Sequence, residues 1–98
     1  MTMPKFPLGR TMMTRGVQDV LNDPTDPRLT TQLLLSLFDR HQAGDWGEVS
    51  QGDRALNDSA LQDGDRLLSA YILPNGVKVW VITEWDRSVT TILLPDEY

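Results

Sequence analysis

The sequence contains no cysteine, which excludes disulfide bonds and metal or redox sites built on thiolates. It has one histidine, His41, so a site with several histidine ligands is excluded as well. The longest apolar runs are short pieces such as "LLLSLF", far below the roughly 18 residues that a membrane-spanning helix needs. The N-terminus "MTMPKFPLGR" lacks the basic-then-apolar layout of a signal peptide. We therefore expect a soluble cytoplasmic protein that holds no metal and does not enter a membrane.

The chain is long enough for one domain, residues 1–98, with one core. Its net charge is −5, and residues 39–65, with seven acidic and two basic side chains, hold the whole imbalance. An acidic field of this kind repels phosphate backbones, which argues against direct binding of nucleic acid. It either attracts a basic protein partner or merely keeps a small protein in solution.

Three helices are predicted in the first two thirds of the chain. Thr14 is placed to cap a short helix over "RGVQDVLN". A second helix is expected over about residues 27–43, with Asp26 as its cap and an apolar stripe that includes His41. A third is expected over about residues 51–63, capped by Ser50.

From residue 66 onward the pattern changes to strands. Asn75-Gly76 separates "RLLSAYIL" from "KVWVIT", and this dipeptide is a strong signal for a two-residue hairpin loop. The turn "EWDRS" then leads into a third strand, "VTTILLP". The sequence predicts an α+β fold: an antiparallel three-stranded meander, which the N-terminal segment would extend to four strands, with two to three helices packed on one face.

A two-residue loop would place Ile72 opposite Val79 and Tyr71 opposite Trp80. Tyr71 would then share an unusually apolar face with Trp80, away from the core. This face is either a surface for a protein partner or a second copy, or it is covered by a helix or the N-terminal segment. The residues predicted to bind a partner are this apolar set and the nearby acidic ones, namely Tyr71, Trp80, Ile82, Leu93, Asp58, Asp63 and Asp65.

Polar side chains that suit acid–base chemistry form a second candidate set. His41 falls in the last turn of the second helix, and Asp45 follows four residues later. Such a pair supports catalysis only if a nucleophile such as Ser50 or Ser69 lies beside it, and otherwise His41 makes a structural hydrogen bond. The candidates for a catalytic or ligand-binding cleft are His41, Asp45, Asp53, Asn57 and Arg87. No P-loop, GxGxxG, HExxH or GxSxG motif is present, so no cofactor is predicted.

Two further residues are predicted to be structural. Trp46, in the tight loop "GDWGE", is expected to close the edge of the core and to contact the "TEWDRS" hairpin. Arg87 is expected to pair with Glu84 or Asp86 across its turn.

The combination of "RHQAGDWG", a following Asp53 and Asn57, and "TEWDRSVTTILLPDEY" resembles a family of small bacterial proteins found on plasmids, prophages and integrated elements. The likeness runs from about Phe6 to Tyr98. The chain departs from that family by a longer insert at about Asn22 to Thr31, and by Arg15 where proline is common. The resemblance implies a mobile-element setting and no established activity. Some members carry a restriction-subunit label, but 98 residues without a cofactor motif cannot house a restriction methylase.

The sequence therefore favours a small acidic protein, without enzymatic activity, that binds another protein. In a mobile-element setting the partner would be a host defence or regulatory protein, with anti-restriction or anti-CRISPR inhibition as the sharpest form. The alternatives are a small enzyme or ligand-binding protein that uses the His41 cleft, and a structural homodimer.

Overall fold

A computed structural model describes residues 3–98 and shows an α+β fold in that part of the chain. The elements follow the order β1 (Arg10–Met13), α1 (Arg15–Leu21), α2 (Thr31–Gln42), α3 (Gln51–Asp63), β2 (Leu67–Ile72), β3 (Lys78–Thr83) and β4 (Val89–Leu93), with a 3-10 turn at Pro95–Glu97. The predicted α+β class is confirmed. Over residues 3–98, none of the helices has both the length and the apolar character required to cross a membrane.

Each helix begins at a hydroxyl cap, because a side-chain oxygen there satisfies an amide that has no partner within the helix. Thr14, Thr30 and Ser50 each accept a hydrogen bond from the amide three residues later. The prediction that α2 starts near residue 27 is wrong. The Asp26 carboxylate instead binds the backbone and guanidinium of Arg28, which closes a turn before the helix begins.

The strands form one sheet in the order β1-β4-β3-β2. β2, β3 and β4 make the predicted antiparallel meander, but β1 joins β4 in parallel, so the sheet is mixed. The expectation of a purely antiparallel sheet is wrong on this point. A hairpin forces its two strands to run antiparallel, whereas β1 is separated from β4 by all three helices and its direction is free.

The loop between β2 and β3 has three residues rather than the predicted two. The Leu73 amide donates to the Val77 carbonyl and the Gly76 amide to the Leu73 carbonyl, both at 2.8 Å. Gly76 lies in the left-handed region with φ +87°, which suits a type I turn closed by a glycine bulge. The hairpin register therefore differs from the prediction by one residue.

A register shift of one residue reverses which side chains of the two strands share a face of the sheet. Tyr71 lies opposite Val79, and Trp80 lies opposite Ala70. The prediction that Tyr71 shares a face with Trp80 is wrong. The inner face of the sheet, which α1 and α2 cover, carries Leu67, Ser69, Tyr71, Val79, Val81, Thr83, Thr90 and Ile92.

The buried apolar side chains form two clusters. The larger one lies under α1 and α2 and comprises Val17, Leu29, Leu37, Phe38, Tyr71, Leu73, Val79, Val81 and Ile92. The smaller one lies near the N-terminus of the domain and comprises Phe6, Trp46, Ala60 and Leu67. The inner-face residues Ser69, Thr83 and Thr90, and His41 of α2, are also fully buried.

Candidate functional site

His41 lies at the centre of a buried chain of polar side chains. Its Nδ1 atom is 2.5 Å from Ser69 Oγ, and its Nε2 atom is 2.9 Å from Thr83 Oγ1. Thr83 Oγ1 is in turn 2.7 Å from Thr90 Oγ1. We call Ser69, His41, Thr83 and Thr90 the inner polar chain. All four have 0% exposure, and they bond α2 directly to β2 and β3 and, through Thr83, to β4.

The end of the inner polar chain fixes the direction of its hydrogen bonds. Thr90 Oγ1 donates its proton to the Leu8 carbonyl at 2.7 Å. Thr90 therefore accepts from Thr83, and Thr83 accepts from the Nε2–H group of His41. Nδ1 is then the acceptor of the Ser69 hydroxyl proton. The neutral imidazole with its proton on Nε2 satisfies all of these hydrogen bonds.

The Ser69–His41 pair has the geometry of a nucleophile beside its base, but it has no route to a substrate. Both residues are fully buried, and both ring nitrogens are occupied within the chain. Burial, with a smaller effect from the Arg87 charge, lowers the pKa of His41 from 6.5 to about 3. The expectation that His41 makes structural hydrogen bonds at the end of α2 is confirmed.

Asp45 and Asn57 are engaged in separate local contacts. The Asp45 carboxylate pairs with Arg40 at 2.7 Å and accepts from the Gly47 amide, and the Arg40 hydrogen bond lowers its pKa. Asn57 bonds to both backbone groups of Leu68, donating to the carbonyl and accepting from the amide. Neither contact leads to His41.

Asp53 and Arg87 lie apart from the inner polar chain as well. Asp53 is exposed at the start of α3 and lines a cleft of about 150 Å³ together with Leu56, Asn57, Arg66 and Leu68. Arg87 donates to the backbone carbonyls of Ala60, Asp65 and Glu84 rather than to the carboxylates that the sequence suggested. Of the five candidate cleft residues, the structure brings only Asp53 and Asn57 together at one cleft.

The residues predicted to form an apolar partner surface are largely inaccessible. Tyr71 is 1%, Ile82 4% and Leu93 6% exposed. Tyr71 belongs to the core, where its hydroxyl donates to the Asp45 carbonyl at 2.6 Å and burial raises its pKa to about 12. Trp80 remains half-buried on the outer face, the side of the sheet opposite the helices.

Tyr98 covers part of the outer face. Its ring packs edge-on against Trp80, with 5.8 Å between the ring centroids. The Arg66 guanidinium lies over the Tyr98 ring and donates to its hydroxyl group. The expected open patch around Trp80 is thus partly closed by the end of the described chain.

The acidic residues of the predicted surface remain on the surface. Asp58, Asp63 and Asp65 are all exposed. Asp58 also accepts a hydrogen bond of 3.1 Å from the indole of Trp46, which is 3% exposed and closes the core as predicted. Phe6 stacks on Trp46, and the Arg87 guanidinium lies 5.8 Å from the Phe6 ring centroid. Phe6 thus lies between the Trp46 loop and the β3–β4 hairpin.

Trp85 was missed by sequence reasoning and is the most exposed tryptophan side chain, at 66%. It lies at the tip of the β3–β4 hairpin, between Glu84 and Asp86. The sequence feature that indicates its exposure is its position inside a turn, flanked by two acidic residues, where a side chain does not point into the core.

The turn that carries Trp85 is held rigidly. The Arg87 amide donates to the Glu84 carbonyl at 2.9 Å, and the Glu84 amide to the Val89 carbonyl at 3.0 Å. Arg87 has φ +60°, a left-handed conformation that disfavours a residue with a Cβ atom. Its three hydrogen bonds to carbonyls, including those at the end of α3, compensate for this strain.

Within residues 3–98 no three histidine, cysteine or acidic side chains converge to hold a metal ion. Comparisons with protein-family models, with curated proteins and with solved structures find no match for this chain. The resemblance to mobile-element proteins therefore stays a prediction.

Proposed function

We propose that this chain is a small protein-binding module whose anchor is Trp85. The observation that carries the proposal is the 66% exposure of this tryptophan on a turn that is fixed by Arg87. Tryptophan is among the residues that contribute most to protein interfaces. An anchor that is already rigid loses little conformational entropy on binding, which favours affinity.

The charges around the turn favour a basic partner. Glu84 and Asp86 flank Trp85 in sequence, and the contact between Arg87 and the Asp65 carbonyl brings the acidic end of α3 beside the turn. Arg87 itself is directed toward backbone carbonyls. A lysine or arginine of the partner would lie over the indole ring and near these carboxylates.

The biological role that we propose is the modulation or inhibition of a host protein. It rests on the resemblance to proteins of plasmids and prophages, in which a small binding protein would act on a host defence or regulatory system. Inhibition of restriction or CRISPR systems is the sharpest form of this proposal. A catalytic role is not favoured, since His41 is buried and Asp45, Asn57 and Arg87 make local structural contacts.

The test compares the wild-type chain with Trp85→Ala in capture from an extract of the source cell. Leu56→Ala is the matched control, because Leu56 is 68% exposed on a different surface. The captured protein is then purified, and its dissociation constant is measured by calorimetry. We expect Trp85→Ala to weaken binding by about 30-fold or more, the effect of an interface anchor worth roughly 2 kcal/mol.

Two results would contradict the proposal. One is a partner that binds Trp85→Ala as tightly as the wild type. The other is a homodimer, seen by light scattering, that Trp85→Ala dissociates and that leaves no further protein bound. Binding to a basic partner should also weaken as salt is raised, since exposed charges are screened beyond about 8 Å at physiological ionic strength.

A further inference from the structure

The two edge strands of the sheet, β1 and β2, differ in how far their outward backbone groups are hydrogen-bonded. At the β2 edge, the Ala70 amide donates to the Trp46 carbonyl at 3.0 Å, and the Glu48 amide donates to the Ala70 carbonyl at 2.7 Å. Asn57 occupies both backbone groups of Leu68 with its side-chain amide. The outward backbone groups of Leu68 and Ala70 in the middle of β2 are therefore already paired, which hinders another strand from adding there.

The β1 edge has no such protection. The amides of Arg10 and Thr14 donate to the Ser88 and Ile92 carbonyls on the β4 side. Because backbone groups alternate in direction along a strand, those of Thr11 and Met13 point away from the sheet. All four residues of β1 are exposed, and no strand of residues 3–98 pairs with this outer edge.

β1 is short and begins with a charged residue, but it lacks two of the other means of preventing edge pairing, a proline and a bulge. The strand "RTMM" contains no proline, and its pairing with β4 is unbroken over all four residues. Met12 and Met13 are 49% and 39% exposed, so apolar surface lies on both sides of the edge. An edge of this type accepts an extended segment as an additional strand.

Two arginines give this edge its charge. Arg10 begins β1 and Arg15 begins α1, at most about 17 Å apart, the reach of five extended residues at roughly 3.4 Å each. Both are exposed, and neither has a carboxylate within 4.0 Å among the described residues. Glu97 lies close by, where its carboxylate accepts from Thr14 and Gly16 and keeps its negative charge.

The acidic imbalance of the chain lies mainly in elements that contact the β2 edge, although Arg87 holds Asp65, after the end of α3, beside the β3–β4 turn. Residues 39–65, with a net charge of −5, include α3 and the loop that covers the β2 edge. Four strands spaced about 4.8 Å apart place β1 roughly 14 Å from β2. That distance exceeds the screening length of about 8 Å at physiological salt. At the β1 edge itself, Arg10, Arg15 and Glu97 sum to +1.

We propose that the β1 edge binds an extended acidic peptide segment of another protein, which adds to the sheet as a fifth strand. Backbone hydrogen bonds to Thr11 and Met13 would hold the segment. Two carboxylates about four to six residues apart, facing Arg10 and Arg15, would select it. This site is distinct from the Trp85 turn and does not depend on it.

A second copy of the chain is a poorer occupant of the same edge. Pairing β1 with its own copy in an antiparallel two-fold arrangement would bring Arg10 of each copy near Arg15 of the other. Like charges at both ends of so short a strand pair oppose that association. Repulsion between the arginines thus disfavours the homodimer at this edge, whereas an acidic peptide is attracted to it.

The experiment uses a synthetic peptide of about ten residues, the upper end of common strand lengths, with a Glu-Val-Thr-Val-Thr-Glu core. N-methyl groups on alternate residues allow it to pair along one edge only. The matched control peptide has lysine in place of both glutamates. Binding to the full chain is followed through the backbone amide signals in NMR spectra.

We expect the glutamate peptide to shift the amide signals of Thr11 and Met13, and the lysine peptide to bind at least about 10-fold more weakly. Thr11→Pro should abolish binding, because it removes an outward N–H group and leaves the β1–β4 hydrogen bonds in place. Thr11→Val keeps the N–H group and should bind as the wild type does.

A charge reversal decides the question if Thr11→Pro does not fold. The double variant Arg10→Glu, Arg15→Glu changes two exposed side chains and should prefer the lysine peptide. The proposal is overturned if the glutamate peptide leaves the β1 signals unchanged, or if both peptides bind the wild type equally. It is also overturned if β1 signals shift on dilution without peptide, since that would show pairing between copies.

Discussion

Protonation of His41 is expected to destabilise the fold in mildly acidic solution. In the native state Nδ1 accepts the Ser69 proton, and Nε2 donates to Thr83. A second ring proton would displace the Ser69 hydroxyl proton from Nδ1, in a site that is fully buried. Burial, reinforced by the Arg87 charge, accordingly lowers the pKa of His41 from 6.5 to about 3.

The free energy of unfolding falls at low pH because the unfolded chain binds a proton on His41 that the native state does not bind. Below about pH 6.5 the unfolded chain takes up a proton on His41, whereas the native state stays neutral until about pH 3. Stability is therefore complete above pH 6.5 and is lost as the pH falls toward 3. The loss is about 1.4 kcal/mol per pH unit in that range, or roughly 2 kcal/mol between about pH 7.5 and 5.

Urea unfolding followed by tryptophan fluorescence measures this difference. His41→Gln is the control, since glutamine can donate and accept but does not titrate. Carboxylates of the unfolded chain protonate mainly near pH 4, so they contribute little above about pH 5. The variant should be less stable than the wild type at neutral pH, but its stability should change by less than about 0.5 kcal/mol over the same range.

A second measurement remains available if His41→Gln does not fold. The imidazole proton signals of the wild type should not titrate between about pH 7.5 and 5 in NMR spectra. Titration of the folded protein near pH 6.5 would refute the reasoning. An equal loss of stability in the wild type and His41→Gln would refute it as well.

Three further predictions concern the contacts that hold the loops and edges. Asn57→Ala should lower the free energy of unfolding by about 2 kcal/mol in urea titrations, because it leaves two backbone groups of β2 unpaired. Arg87→Ala should be less stable than Arg87→Gly by about 1 kcal/mol, since both lose the guanidinium contacts and only alanine keeps the left-handed strain. Gly47→Ala should lower the free energy of unfolding by several kcal/mol, because its Cβ atom would lie 2.1 Å from the Ala70 carbonyl oxygen. At Gly64 a Cβ atom meets nothing within 4 Å, so Gly64→Ala should lower it by only about 1–2 kcal/mol, from the positive φ alone. Equal thermal stability of these two glycine variants would contradict the steric argument.

The parts of the fold that depend on neighbouring residues could be read from the sequence. The caps Thr14 and Ser50 and the end of α3 at Gly64 follow from local hydrogen bonding and backbone conformation. The hairpin register also depends on neighbouring residues, and the residue that decides it is Pro74. Proline favours the second position of a type I turn, which makes Gly76 the closing residue of a three-residue loop.

The parts that depend on distant residues could not be read in this way. The direction of β1 depends on where three helices return the chain, and no local pattern encodes that. The carbonyls that bind Arg87 belong to α3 and to the loop after it. The exposure of Trp85 follows from that contact, so it became visible only once the hairpin and the helix were placed together.

The inner polar chain also sets the position of the β1 edge. Its last member, Thr90, donates to the Leu8 carbonyl, two residues before β1 begins. The next residue, Gly9, has φ +66°, and a Cβ atom there would lie 2.4 Å from the Arg87 and Ser88 carbonyl oxygens. The entry of the chain into β1 is thus fixed by one core hydrogen bond and one close backbone contact.

Removing that hydrogen bond should therefore loosen β1 before the rest of the sheet. Thr90→Val keeps the shape of the side chain, but it leaves the Leu8 carbonyl and the Thr83 hydroxyl without their partner, at a cost of about 1–3 kcal/mol. Hydrogen exchange should accelerate at the Arg10 and Thr14 amides by about 10-fold more than at β2 and β3 amides. Thr91→Val, on the half-buried outer face, is the control and should show no such difference. Uniform acceleration across all four strands in Thr90→Val would mean that β1 is held by β4 alone.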